Sequence, residues 1–255
     1  MDKKRFLSLF NEEDKIEVSA IFDKMQLAEK TQGQISLKEF YAPRIWKKIL
    51  DMQNEIYASI ETFGIFEHAE RRIISFNCSS FYQMPIKVLL IKTSNKFQKV
   101  EHKDYLGSIM ALGIERSKLG DLIVIDNLCY VPCTEDIAIY IIDNLGKIKN
   151  TPCNIEVLTS YENLPEYQYD ELIITTTSLR IDTIISGIIG ISRSKGLSAL
   201  SSGGILLNYS PVYDKSKLVS MGDTLTLRTY GKFIIKEIIG ETKSGRLKVK
   251  VLKFK

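Results

Sequence analysis

The sequence predicts an α+β protein in which three domains follow one another along the chain. Apolar residues recur every three or four positions in the first part, strand-like and helical runs alternate in the middle, and cationic residues dominate the last part. A change of hydrophobic period separates regions of different secondary structure. We therefore place a helical N-terminal domain at residues 1–70, an α+β domain at 71–177 and a basic domain at 178–255.

The first domain is predicted to consist mostly of helix. Asn11 can cap a helix that runs as far as Met25, and Gly33 ends this helical pattern. Apolar residues then repeat at helical spacing from Ile45 to Ile60. The single tryptophan, Trp46, falls within this repeat, and we expect it to pack in the core rather than to stack on a ligand.

The middle domain combines strands with helices. Helices are predicted at His102–Leu112 and from Thr134 to Leu145, and strands at Ile73–Cys78, Ile86–Lys92, Asp121–Ile125, Leu128–Val131 and Ile155–Thr159. Helices that alternate with strand pairs indicate a sandwich of the ferredoxin or RNA-recognition (RRM) type. The strands lack the aromatic signature with which RNA-recognition sheets stack bases. We therefore expect this sheet to be a scaffold or a protein-contact surface.

The last domain begins with a pattern of two short helices. Isoleucines at helical spacing predict a first helix over Ile181–Ile189 with one buried face. Ser192 can cap a second helix that carries Arg193 and Lys195 in its first turn and ends near Gly204. Cations in a first turn oppose the helix dipole, so their presence there indicates an anionic partner.

A strand rich in lysine lies close to the carboxyl end. In Arg246–Val251 the residues Arg246, Lys248 and Lys250 share one face, and apolar residues occupy the other. This pattern fits an electrostatic track for a polyanion. It fits equally well an edge strand that charge protects from aggregation.

Charge divides the chain into two parts of opposite sign. From Ser178 onward 14 Lys and Arg stand against 5 Asp and Glu, whereas the preceding residues hold 21 against 26. This asymmetry indicates nucleic acid or an acidic membrane surface as a partner, with a solvated basic face as the alternative. We favour RNA among these partners.

Several classes of function find no support in the sequence. The chain lacks GxSxG, P-loop, dinucleotide-binding and HExxH motifs. Its four cysteines form no CxxC pair and are expected to be free thiols in a reducing cytosol, so we predict neither a metal site nor a cofactor. No signal peptide or membrane-spanning run is evident. We therefore expect a cytoplasmic, non-enzymatic protein.

Motifs of the last domain resemble the S-four (alpha-L) RNA-binding domain. They are Leu179-Arg-Ile-Asp182, Ser192-Arg-Ser-Lys195 and an apolar strand that ends at Asn208. The resemblance implies phosphate contacts at basic residues, hydroxyl contacts at serines and an extension of the patch through a hairpin. The corresponding RNA-binding residues are Arg180, Ser192, Arg193, Ser194, Lys195, Arg228 and Lys232.

Motifs of the middle domain extend the resemblance over nearly the whole chain. Ala69-Glu-Arg-Arg72, His102–Gly107 and Leu112–Asp121 resemble the bacterial YlmH family. That resemblance implies binding of structured rRNA or tRNA at the large ribosomal subunit, in quality control of stalled subunits carrying peptidyl-tRNA. It implies no membrane or DNA partner. The alternative is a protein-interaction adaptor, linked to cell division, whose acidic N-terminal part binds a partner protein while RNA binding is incidental. An RNA-modifying enzyme is the third possibility.

Overall fold

The computed structural model describes residues 2–78, 84–94, 100–190 and 204–255. It confirms the predicted α+β class, with helices packed on antiparallel sheets. The chain divides into two compact units, Met1–Glu166 and Tyr167–Lys255. Within the described residues, no helix combines the length and apolar character that crossing a membrane requires.

The N-terminal region packs helices on a small sheet. Its elements are α1 (Lys3–Ser8), α2 (Lys15–Thr31) and α3 (Pro43–Asp51), with β1 (Ile35–Ser36), β2 (Ile60–Phe63) and β3 (Ile73–Phe76) in the antiparallel order β1-β3-β2. Phe6, Ile21 and Ile45 of the helices share one core with Phe76 of the sheet. Trp46 belongs to this core, as predicted, and its indole N–H donates to a backbone carbonyl.

The predicted helix through Ile60 is wrong. α3 ends at Asp51, a short 3₁₀ turn covers Gln53–Glu55, and β2 begins at Ile60. Ile56 and Ile60 are nevertheless buried, so their spacing of four positions reflects burial rather than helical conformation. β3 pairs with β1 and β2, so the N-terminal sheet includes a strand that the sequence placed in the middle domain.

The central region has the predicted ferredoxin-like order of elements. It contains β4 (Ile86–Thr93), α4 (His102–Met110), β5 (Ile123–Ile125), β6 (Leu128–Thr134), α5 (Glu135–Asn144), β7 (Lys147–Ile148) and β8 (Thr151–Val157). The strands lie in the order β5-β6-β4-β8-β7 and pair antiparallel. Tyr105 of α4 and Ile141 of α5 share a core with Leu89, Ile91 and Val131 of the sheet, so both helices cover the same face.

Gly120 and Asp121 connect the central region to the N-terminal region. One carboxylate oxygen of Asp121 accepts the backbone N–H groups of Glu70 at 2.6 Å and Arg71 at 3.0 Å. A Cβ atom at Gly120 would lie 2.9 Å from the Cβ of Pro132 and 3.1 Å from the Phe40 ring, so only glycine fits without adjustment. Two of the motifs in the YlmH resemblance, at residues 69–72 and 112–121, therefore meet at this contact.

The C-terminal unit is a six-stranded sheet with a helix on one face. Its elements are β9 (Tyr169–Thr176), α6 (Ile181–Ile189), β10 (Ile205–Leu207), β11 (Ser210–Pro211), β12 (Thr224–Leu227), β13 (Gly231–Glu241) and β14 (Leu247–Phe254), in the sheet order β11-β10-β12-β13-β14-β9. Ile181 and Ile185 of α6 pack with Phe233 and Val249 of the sheet. β9 pairs with β14, so this unit begins before the predicted boundary at residue 178.

The lysine-rich strand β14 does not lie at an edge. It pairs with β13 on one side and with β9 on the other. The interpretation as a charge-protected edge strand is therefore wrong. Of the predicted electrostatic track, Lys250 lies 2.8 Å from a carboxylate oxygen of Glu171 and 4.0 Å from one of Glu237, which offsets its charge.

Candidate nucleic-acid interface

Arg180 occupies the N-cap position of α6 and forms an ion pair with Asp182. Its Nε donates to Oδ1 of Asp182 at 3.2 Å, and its Nη2 donates to Oδ2 at 3.1 Å. The Asp182 side chain is 3% exposed and that of Arg180 is 38% exposed. The hydrogen bonds to Asp182 raise the pKa of Arg180. The guanidinium therefore reaches solvent, but a neighbouring carboxylate offsets part of its charge.

Two lysines that the sequence did not single out, Lys215 and Lys217, lie on the segment that meets the start of α6. The N–H of Ile181 donates to the carbonyl oxygen of Lys217 at 2.8 Å, and the N–H of Val219 donates to that of Leu179 at 2.9 Å. These bonds hold the segment that carries Lys215 and Lys217 against the N-terminal end of α6. In the sequence, the pattern Lys215-Ser-Lys217, with two cations close together in a polar loop, could have indicated these residues.

Arg228 lies near the opposite end of α6, in the turn between β12 and β13. Its N–H donates to the carbonyl oxygen of Gly204 at 2.9 Å. A pocket of about 250 Å³ is lined by Arg228, Gly204, Tyr230 and Ile189, the last residue of the helix. Ser192, Arg193, Ser194 and Lys195 lie outside the described residues. The exposed Arg228 is therefore next to both ends of the segment that carries them.

Lys232 lies on the other face of the C-terminal sheet. It pairs with Thr226 across the strands, and both alternate with residues that pack against α6. Its Nζ atom lies 5.4 Å from the ring centroid of Tyr209 and 5.1 Å from that of Phe254. The structure thus places Arg180, Arg228 and Lys232 at three separate positions, two beside α6 and one behind the sheet.

The described lysines of the central region are largely engaged with carboxylates. Residues 81–162 hold 9 Lys and Arg against 10 Asp and Glu, whereas Tyr167–Lys255 holds 14 against 7. The ion pairs of the central lysines are Lys87–Glu135, Lys92–Glu156, Lys103–Glu101, Lys118–Glu39 and Lys149–Asp104. The positive field of the protein therefore belongs to the C-terminal unit.

Among the described residues, no group of three or more His, Cys, Asp or Glu side chains could hold a metal ion. The four cysteines are free thiols, and three of them are buried. Burial raises the pKa of Cys133 to about 12, so its nucleophilic thiolate form is scarce at neutral pH.

Comparison with known proteins finds a family model, a relative and a solved structure that are similar to this chain. Residues 81–162 match the family model YlmH_RBD, described as "Putative RNA-binding domain in YlmH". Ribosome-associated protein quality control protein P2 of Bacillus subtilis (strain 168) is 24% identical over 223 residues, which is 86% of this chain and 87% of that protein. Cell division protein ylmH from Streptococcus pneumoniae superposes with a TM-score of 0.52 at 20% identity, over 61% of this chain and 97% of that one.

The family match changes the view of the central region. The sequence predicts a scaffold or protein-contact sheet there, whereas the matching family is described as RNA-binding. The structural match, at 20% identity, supports the fold alone. The chain is therefore similar to the YlmH family over residues 81–162 and to the Bacillus protein over most of its length.

Proposed function

We propose that this protein binds structured RNA of the large ribosomal subunit, rRNA or tRNA, and acts without catalysis in the quality control of stalled subunits carrying peptidyl-tRNA. The family description supports RNA binding. The name of the Bacillus relative, a ribosome-associated quality control protein, supports the ribosome as the site of action and the cytoplasm as its location.

The charge of the C-terminal unit carries this proposal. Tyr167–Lys255 holds 14 cationic and 7 acidic residues, so its net positive charge attracts a polyanion, whereas the net charge of the rest of the chain is negative. We propose that this unit contains an S-four domain whose RNA face is formed by the residues beside α6. We propose that Arg193, Lys195 and Arg228 form the centre of this face, because Arg228 lies beside Ile189 and Gly204, described residues that precede and follow the segment that carries the other two.

Recognition on this face would proceed through phosphates. Arg193, Lys195 and Arg228 donate charge-assisted hydrogen bonds to phosphate oxygens, and Ser192 and Ser194 add hydroxyl contacts. Arg180 contributes through the guanidinium N–H groups that do not face Asp182. Such contacts position a folded RNA by its shape rather than its sequence, and they weaken with added salt.

The central region plays a smaller electrostatic part in this proposal. Carboxylates within 4 Å offset the charge of lysines such as Lys92 and Lys149. Releasing these lysines to phosphates would break existing ion pairs, so each new contact would gain less. We propose that the central region contributes fewer phosphate contacts than the C-terminal unit.

A filter-binding assay with structured ribosomal RNA tests the proposal. The variant Arg193→Glu, Lys195→Glu is expected to bind at least about tenfold more weakly. The slope of its log affinity against log salt concentration should become smaller in magnitude by roughly 0.7–0.9 for each lost phosphate contact. The control Lys24→Glu, Lys30→Glu changes the net charge equally on the exposed side of α2. Equal losses in both variants would show a general charge effect and contradict the proposed face.

A protein-interaction adaptor is the second candidate. α5 exposes Ile139 at 57%, Tyr140 at 44% and Ile142 at 40%, which is an apolar surface that a protein partner could cover. If the wild type and the Arg193→Glu, Lys195→Glu variant bind RNA equally at physiological salt, the adaptor function is favoured. Retention of partners by wild type but not by Ile139→Glu would then support it.

A further inference from the structure

The face of the C-terminal sheet that α6 does not cover carries a row of aromatic side chains. Phe233, Val249 and Val251 point towards α6, so residues that alternate with them point to the other face. The strand register aligns Lys232 with Thr226 and Phe254 with Tyr169 on that face. We use the name aromatic row for the four rings of Tyr167, Tyr169, Tyr209 and Phe254 together with Lys232, which lies between them.

The members of the aromatic row contact one another. The centroid of the Phe254 ring lies 4.9 Å from that of Tyr169 and 5.7 Å from that of Tyr167, and both pairs are edge-on. Lys232 places its ammonium 5.1 Å from the Phe254 centroid and 5.4 Å from the Tyr209 centroid, so it bridges the two rings. All five side chains are only partly buried, so the row retains accessible surface.

The backbone of Tyr209 indicates that its ring has a role beyond the turn. Asn208 and Tyr209 connect β10 to β11 with φ values of 49° and 69°, both left-handed. Turns of this kind favour glycine, which has no Cβ to clash with the backbone, and asparagine, whose short side chain can hydrogen-bond to the nearby backbone. Tyrosine is therefore an unfavourable choice for the turn itself, and residues held in such conformations cluster at functional sites.

The charge on this face favours an anionic ligand. Lys232 lies within the aromatic row, and the exposed Lys248 lies further along the same face, opposite Gly240 and Thr175. The acidic Glu171 and Glu237 on this face contact Lys250. Aromatic rings beside cations match nucleic acid, whose bases stack on rings while its phosphates contact ammonium groups.

We propose that the aromatic row stacks unpaired bases of the bound RNA. A base stacks on the ring of Tyr209 or Phe254, and the Lys232 ammonium, which bridges these rings, donates to an oxygen of that base. This inference rests on the proposed RNA-binding function and adds a second surface to it, on the opposite face of the sheet from Arg228. The preferred ligand is then a folded RNA with an unpaired loop, not a continuous duplex.

Three RNA probes with the full-length protein test this inference. One is a hairpin with an unpaired loop, the second has the same stem and an abasic loop that keeps the phosphates, and the third is the blunt duplex of the stem. Wild type is expected to bind the base-bearing loop about 5- to 100-fold more tightly than the abasic loop, the factor that stacking on a ring supplies. The duplex measures the phosphate contacts alone.

Variants of the aromatic row should remove the preference for bases. Tyr209→Asn suits the left-handed turn, so it should fold and lower the ratio of the two loop affinities while leaving duplex affinity unchanged. Lys232→Gln should lower the same ratio and decides the question if Tyr209→Asn does not fold. Tyr57→Asn, at a tyrosine that is 91% exposed in the N-terminal region, is the control and should keep the ratio.

The results separate the inference from the proposed function. A wild-type ratio near one, with clear binding to the duplex, would overturn the aromatic row as a base-stacking surface and leave RNA binding intact. A ratio in Tyr209→Asn and Lys232→Gln equal to that of Tyr57→Asn would overturn it as well, and would favour a protein ligand for this face. Failure of the wild type to bind any of the three probes would contradict the proposed function itself.

Discussion

Whether Arg180 contacts RNA can be tested by replacing either partner of its ion pair with Asp182 and measuring RNA affinity. Arg180→Gln removes both guanidinium hydrogen bonds, of 3.2 and 3.1 Å, whereas Asp182→Asn removes the negative charge and one of the two acceptors. Both changes should therefore lower the urea midpoint of unfolding. Their effects on RNA affinity should differ in sign, because one removes a cation from the proposed face and the other removes an anion.

The size of the gain in Asp182→Asn follows from geometry. A phosphate that accepts from the outer edge of the Arg180 guanidinium would lie about 7 Å from the Asp182 carboxylate, and removing that charge in water improves affinity about threefold at low salt. Salt screens this gain, so it should shrink above about 0.15 M. In Arg180→Gln the RNA affinity should fall, and the slope of log affinity against log salt concentration should become smaller in magnitude by about 0.7–0.9.

Fluorescence anisotropy with labelled ribosomal RNA, measured over a salt series, gives both quantities. The urea midpoints of the same preparations show that each variant is folded under the binding conditions. If both variants weaken binding to the same extent, the effect comes from the stability of α6. Arg180 would then be a structural residue and not a phosphate ligand.

Three further predictions concern the stability and chemistry of the first unit. Arg44→Met should lower the free energy of unfolding by about 3 kcal/mol, because it leaves the buried carboxylate of Asp14 without its partner. The Asp14 side chain is 4% exposed and accepts three hydrogen bonds from Arg44. A double variant with apolar residues at both positions should lose less stability. Gly120→Ala should destabilise by about 1–3 kcal/mol because its Cβ would lie 2.9 Å from a neighbouring side chain. The control Gly107→Ala, in α4 with nothing within 4 Å, should stabilise by up to about 1 kcal/mol. The Cys133 thiol, whose pKa burial raises to about 12, should not react with a disulfide reagent at pH 8 until denaturant is added.

The central fold could be predicted because its element boundaries have local signals. Asp126 adopts a φ of 53° in the turn between β5 and β6, as expected of an Asp-Asn pair, and Thr134 occupies the N-cap position of α5. In the N-terminal sheet, β3 is predicted as a strand, but β1 and β2 lack such signals. β1 has only two residues, and β2 follows buried residues at helical spacing, so burial there imitates a helix.

The arrangement of the described candidate residues could not be predicted from the sequence. Arg180 and Asp182 are two positions apart, a spacing at which side chains on a helix do not face each other. Arg180 is at the N-cap with an extended ψ of 140°, however, and from there its guanidinium reaches Asp182. Lys232 is close to Arg228 in sequence, but a turn separates the two, and Lys232 lies on the sheet face opposite to that of its neighbour Phe233, which packs against α6.

The division of RNA contacts between the two units is the most direct test of the proposal. Ultraviolet cross-linking of the full chain to large ribosomal subunits, followed by mass spectrometry, identifies the peptides that contact RNA. We predict that most cross-links fall in Tyr167–Lys255, including peptides that contain Arg228 and Tyr209. Cross-links confined to residues 81–162, the part that matches the RNA-binding family model, would contradict the proposal that the C-terminal unit holds the RNA.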